Sequence, residues 1–176
     1  NGGGIFCGGN SSPTITNVTV SGNTATDGGG IWSGFSALYI ENCLLENNIS
    51  TGFGSAIFNH GGVDSDDDGE PDTGMKITTT TISNNMSTYS GGGYPAAAYF
   101  MTENSYAEIT NSIIWGNTPF DAYDSLSTVN VSYSNVNGRS DFDSGNNAWV
   151  GGSNIDANPL FCNPDSSDYT IAENSP

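Results

Sequence analysis

The chain has 176 residues, a length suited to one domain, and sets 19 acidic side chains against two basic ones, for a formal charge of −17. Without a basic stripe it cannot hold nucleic acid through phosphates, and anionic membranes are disfavoured for the same reason. No run approaches the roughly 18 apolar residues of a membrane span, and charged residues are only 12% of the total, so Asn, Ser and Thr do most of the solvating.

The first element is a Gly-rich step, Gly2-Gly3-Gly4-Ile5. Behind it stands Ile15-Thr16-Asn17-Val18-Thr19-Val20, whose β-branched alternation predicts strand, and then Asn23. The step returns 26 residues later as Gly28-Gly29-Gly30-Ile31, followed by Ile40, Leu45 and Asn48. After another 26 it returns as Gly54-Ser55-Ala56-Ile57. This third unit exceeds the period by 11 residues, matching Val63–Thr73, which reads as a loop insertion; Ile77, Ile82 and Asn85 follow it. A degraded step, Gly91-Gly92-Gly93-Tyr94, leads to Ile109, Ile114 and Asn117, and Val131 and Val136 extend the pattern.

A period of 20–50 residues marks a stacked-repeat architecture, in which one unit gains a core only from its neighbours. Gly and Asn interrupt every segment, and no stretch carries a helical apolar period. The expected fold is all-β: a right-handed parallel β-helix of about five coils, at 2–27, 28–53, 54–90, 91–121 and 122–147, with a terminal segment at 148–176. Aligned copies give apolar columns of Ile15, Ile40, Ile77, Ile109 and Val131, and of Val20, Leu45, Ile82, Ile114 and Val136. Phe6, Trp32 and Phe58 form an aromatic column, with Ile5, Ile31, Ile57 and Tyr94 beside it. Asn17, Asn42 and Asn111, with Thr79 substituting, are expected to make an internal amide ladder; a ligand-binding row is the alternative.

The sharpest local motif is Asp64-Ser65-Asp66-Asp67-Asp68-Gly69-Glu70-Pro71-Asp72. Carboxylates at alternate positions of a tight loop converge, and Gly permits the reversal. Such a loop supplies the hard oxygens Ca²⁺ takes, so Asp64, Asp66, Asp68 and Asp72, with the Glu70 carbonyl, are the expected calcium ligands. A solvated acidic loop is the alternative. The motif is similar to the calcium loops of thrombospondin type 3 repeats and dockerins; Met75, where an EF-hand has Glu, rejects that motif.

Catalytic sets are incomplete. A lyase base would have to be Lys76 or Arg139. Asp121 with Asp124, or Asp141 with Asp143, could pair as glycosidase carboxylates, but both stretches read as Asp/Ser-rich turns. His60 reads as a corner residue. Cys7, Cys43 and Cys162 make an odd count, and Cys7 and Cys43 fall at different points of their units. Sequons stand at Asn10, Asn17, Asn48, Asn85 and Asn130, most of them explicable by composition.

The GGxI step paired with apolar-x-x-Asn, best seen in Gly28–Ile31 with Leu45–Asn48, resembles the repeats of chlamydial polymorphic outer-membrane proteins. The end of the chain, Asn158-Pro159-Leu160-Phe161-Cys162, then Asp168-Tyr169-Thr170-Ile171 and Ser175-Pro176, is similar to the closing segment of secreted bacterial β-helix proteins. These resemblances imply an extracellular or cell-surface protein, and a Cys just beyond Pro176 that would pair with Cys162. The chain opens inside a repeat, so a longer protein is expected. The function expected is a non-catalytic structural or adhesin-like module whose partners are carbohydrate or another surface protein. A polysaccharide lyase or hydrolase is one alternative, and a self-assembling fibre subunit with end-to-end contacts is another. No nucleic-acid partner and no membrane insertion are expected.

Overall fold

The computed structural model describes residues 1–61, 74–91, 97–102, 105–125, 127–137, 149–150 and 152–176. They form an all-β chain of short parallel strands stacked in four sheets, an arrangement compatible with a parallel β-helix. The first sheet runs Ile5–Gly8, Ile31–Gly34, Ile57–His60, Ala97–Thr102, Phe120–Ser125. The second runs Thr14–Thr16, Tyr39–Glu41, Met75–Thr78, Tyr106–Thr110, Thr128–Ser132, Trp149–Val150. The third holds Thr19–Ser21, Leu44–Glu46, Thr81–Ser83, Ile113–Trp115 and Asn135–Val136, and the fourth Thr24–Ala25, Ile49–Ser50 and Met86–Ser87. An antiparallel hairpin follows, Phe161–Asn163 with Asp168–Ile171, joined through a 3-10 turn at Pro164–Ser166.

The aliphatic columns are the core. Ile15 stands opposite Ile40, Ile40 opposite Ile77, Ile77 opposite Ile109 and Ile109 opposite Val131. Val20, Leu45, Ile82, Ile114 and Val136 pair in the same way. Ile40, Leu45, Ile77, Ile82, Ile109 and Ile114 are wholly buried. Each such side chain contributes roughly 1.5–3 kcal/mol by leaving water. Ile15, on the outermost strand, is only partly covered, because a repeat buries its apolar residues against two neighbours and this one has a single neighbour.

Corners between sheets need left-handed backbone. Asn17, Asn42, Thr79, Asn111 and Tyr133 supply it between the second and third sheets, and Gly22, Asn47, Asn84 and Gly116 between the third and fourth. Gly and Asn reach this conformation at least cost.

The fourth repeat departs from the expected register. Tyr99, not Tyr94, stands opposite Ile57, and it is fully buried. The unit is set by two small residues before a large one. Ser55-Ala56-Ile57 meets that requirement, and Ala97-Ala98-Tyr99 meets it again, with the Ala56 N–H bonded to the Ala98 carbonyl at 2.9 Å. Gly92, Gly93 and Tyr94 lie outside the described residues.

Candidate functional site

The internal amide ladder exists, on a column other than the expected one. Asn17 and Asn42 are exposed, joined by a single bond from Asn42 Nδ2 to Asn17 Oδ1 of 2.6 Å. Their backbone is left-handed, which turns the side chains outward from the corner. The inner ladder is Asn23, half-buried at its end, with Asn48, Asn85 and Asn117, buried, each three residues past the last apolar column. The Asn48 N–H and Nδ2 both donate to Asn85 Oδ1 at 3.0 Å. The Asn85 N–H and Nδ2 donate to Asn117 Oδ1 at 2.9 Å. Asn23 donates to Asn48 Oδ1 in the same double fashion. A parallel hydroxyl column takes the backbone N–H of Cys43 to Thr80 Oγ1, of Thr80 to Ser112 Oγ and of Ser112 to Ser134 Oγ, at 3.3, 3.2 and 3.1 Å. Asn48 and Asn85 are also sequons, and their burial closes them to glycosylation.

The sequence-predicted calcium ligands Asp64, Asp66, Asp68, Glu70 and Asp72 lie outside the described residues, as do Arg139, Asp141 and Asp143. Among the described residues no three His, Cys, Asp or Glu side chains gather as metal ligands do. Asp121 and Asp124 stand in the strand Phe120–Ser125, not in a turn; the pairing of Phe100, Met101 and Thr102 with Tyr123, Asp124 and Ser125 draws this Asp/Ser-rich stretch into the first sheet. Lys76 bonds Glu108 at 2.7 Å, and that hydrogen bond and charge hold its ammonium above the ordinary lysine range. Cys7 and Cys43 are buried thiols and Cys162 is exposed, all three free; burial pushes the Cys7 thiol up.

The aromatic column is a stack on the outer face of the first sheet, with Phe6 61% exposed at its end. Phe6 and Trp32 lie parallel at 4.5 Å, 2° apart. Room for each ring comes from the glycine two residues on: a Cβ on Gly34 would collide with the Trp32 six-membered ring, and one on Gly8 would sit 3.2 Å from Phe6. In the third repeat His60 replaces that glycine and lays its own ring 6.1 Å from Phe58, with the Phe35 edge at 5.3 Å. His60 is thus part of the aromatic packing.

The outer face of the third sheet is different, because the C-terminal hairpin lies over it. Under the hairpin Glu46 is only 4% exposed, with Asn47 Nδ2 donating to its Oε2 at 3.0 Å. The Tyr169 hydroxyl is closed to solvent without a hydrogen bond of normal geometry; Glu46 and Ser83 face it. Burial, reinforced by the Glu46 charge, pushes the Tyr169 phenol up to about 12. Beside this contact a groove of 360 Å³ opens between Trp115, Asn84 and Gly116 on the sheet side and Asn158, Phe161 and Asp165 of the C-terminal segment. A second depression of 440 Å³ is more aliphatic, lined among others by Ile113, Tyr133, Ile155 and Ile171.

No family model, curated protein or solved structure matches this chain. The chemistry must therefore be read from the geometry alone. The inward-facing amides and hydroxyls of the ladders have partners in neighbouring repeats and are unavailable to a substrate. The groove beside Trp115 is where an aromatic face meets side-chain donors and acceptors on the surface. Sequence reasoning missed it because its two walls are 42 or more residues apart in the chain and meet only through the hairpin's return. The Trp at the end of Ile113–Ile114–Trp115, where the neighbouring repeats carry Glu46 and Ser83, was its one visible signal.

Proposed function

We propose that the chain is a right-handed parallel β-helix of about five coils, acting as a non-catalytic structural or adhesin-like module of a secreted or cell-surface bacterial protein. The observation that supports this reading is the buried Asn ladder. Among the described residues, side chains that recur from repeat to repeat in this ladder are spent on binding the next repeat. A backbone held at each repeat by paired amide bonds resists local opening, which suits a spacer. The acidic loop at Asp64, Asp66, Asp68, Glu70 and Asp72 is proposed to take one Ca²⁺. Partners are proposed to be carbohydrate or another surface protein. Incubation with pectate, alginate and neutral glucans, with and without calcium, tests the reading. No release of reducing or unsaturated ends is expected; steady release abolished by Asp121→Ala or Asp143→Ala would replace the module with an enzyme.

A further inference from the structure

We propose that the groove between Trp115 and the C-terminal hairpin is a binding site for a neutral saccharide. The inference names the partner class of the proposed surface module and rests on that reading. A pyranose ring presents an apolar C–H face and a rim of hydroxyls that each donate and accept. It is recognised by an aromatic face together with side chains of mixed hydrogen-bonding character.

The groove offers that combination. Trp115 is the outward residue at the end of its strand, half-buried, and forms part of the floor. In the two preceding repeats the same position carries Ser83 and Glu46, both covered near Tyr169, so the indole lies at the point where the hairpin cover gives way. Asn158 has its carbonyl oxygen taken by the Leu160 N–H at 2.9 Å, and its amide hydrogens remain as donors. Asn84 gives its amide to Asn47, and its carbonyl remains as an acceptor. Asp165 adds a carboxylate acceptor. A donor, an acceptor and a carboxylate around one indole match adjacent sugar hydroxyls. The groove holds no cation among its lining residues, and the chain carries a charge of −17, so uronates and sulfated sugars are repelled. A volume of 360 Å³ lies within the range of small-ligand clefts and suits one or two pyranose units.

Gly116 keeps the mouth open. It occupies the left-handed corner that Asn47 and Asn84 fill in the two preceding repeats, at φ +72°. A Cβ there would meet only Ser83 Oγ, at 3.7 Å. Asn tolerates this backbone, so Gly116→Asn extends the corner column and narrows the groove without straining the chain.

The test is a panel of neutral oligosaccharides (gluco-, xylo- and manno-oligomers), trigalacturonate and proline-rich peptides, each titrated into the full chain with indole emission and calorimetry as readouts. At least one neutral oligomer is expected to bind, with affinity lowered roughly tenfold or more in both Trp115→Ala and Gly116→Asn, and unchanged in Phe6→Ala. Urea midpoints confirm that the variants fold; should Trp115→Ala unfold, Gly116→Asn carries the test alone. Absence of any neutral ligand, preference for trigalacturonate or for the peptides, or binding that survives Gly116→Asn would overturn the proposal. Reducing ends counted in the same samples separate the two readings: bound sugar that is also cleaved removes the non-catalytic module and leaves the groove, while no binding and no cleavage removes the groove alone.

Discussion

Replacing Asn85 by Ala tests what holds the repeats together. Asn85 is 1% exposed and touches both neighbouring repeats. Its Oδ1 accepts from the Asn48 N–H and Nδ2 at 3.0 Å, and its Nδ2 donates at 2.9 Å to the carbonyls of Leu45 and Ser83 and to Asn117 Oδ1. Truncation leaves two buried hydrogens of Asn48 without an acceptor, the backbone N–H and one on Nδ2, whose other hydrogen keeps the Val20 carbonyl at 2.8 Å, and strips Asn117 Oδ1 of one of its donors. An orphaned buried donor costs about 1–3 kcal/mol, so two give a loss of about 3–4 kcal/mol once partial relaxation is allowed. The corner residue Asn42 is the control. It is exposed, and Asn42→Gly keeps the left-handed backbone while removing the single 2.6 Å bond to Asn17. Its cost should stay within about 0.5 kcal/mol. Urea titration followed by far-UV circular dichroism compares the two. Equal losses, or a loss below about 1 kcal/mol for Asn85→Ala, would refute the assignment of the ladder to this column.

Tyr169 loses its proton only near pH 12 in the folded chain against 10.0 for the free phenol. The raised value means that the fold favours the protonated form, so its contribution is complete below pH 10 and is lost as pH rises from 10 towards 12. With eight tyrosines present, the wild-type minus Tyr169→Phe difference in tyrosinate absorbance isolates it; a midpoint near 10 would mean that the hairpin does not bury the ring. Gly34→Ala should push the Trp32 ring off its seat and break its stack with Phe6, at about 1 kcal/mol and with a change in indole emission; an unaltered spectrum contradicts the packing. Chelator-treated protein is expected to take up one Ca²⁺ in calorimetry, and Asp66→Ala/Asp68→Ala to abolish the heat. Silence from wild type at millimolar calcium refutes that site.

The apolar columns were legible because Ile, Leu and Val recur at positions that only stacking can bury. The aromatic column was legible for the same reason. The amide ladder was placed one corner too early because Asn serves two roles here. It tolerates left-handed corners and it satisfies buried backbone, and residue type alone does not separate these roles. The substitutions do. The exposed corner accepts Thr79 and Tyr133 in place of Asn, whereas the column of Asn23, Asn48, Asn85 and Asn117 accepts nothing else over four repeats. Gly91–Tyr94 misled because it imitates the step in composition, although Ala97-Ala98-Tyr99 supplies the small-small-large order that the packing requires. The stretch around Asp121 and Asp124 read as a turn because strand propensity is weak there; pairing with Ala97–Thr102 overrides it. The groove was illegible because it depends on where the hairpin lies on the third sheet.

Stacking of parallel repeats is the claim on which the rest depends, and one distance tests it most directly. Thr16, Glu41, Thr78, Thr110 and Ser132 occupy successive strands of the second sheet in one register. Four strand spacings of about 4.8 Å put Thr16 and Ser132 about 19 Å apart, although they are far apart in sequence. Spin labels at Thr16→Cys and Ser132→Cys, with Cys7, Cys43 and Cys162 changed to Ser, should give a narrow distance distribution centred near that value after allowance for the label arms. A broad distribution centred beyond about 30 Å, the scale of an unstacked chain, would contradict the account.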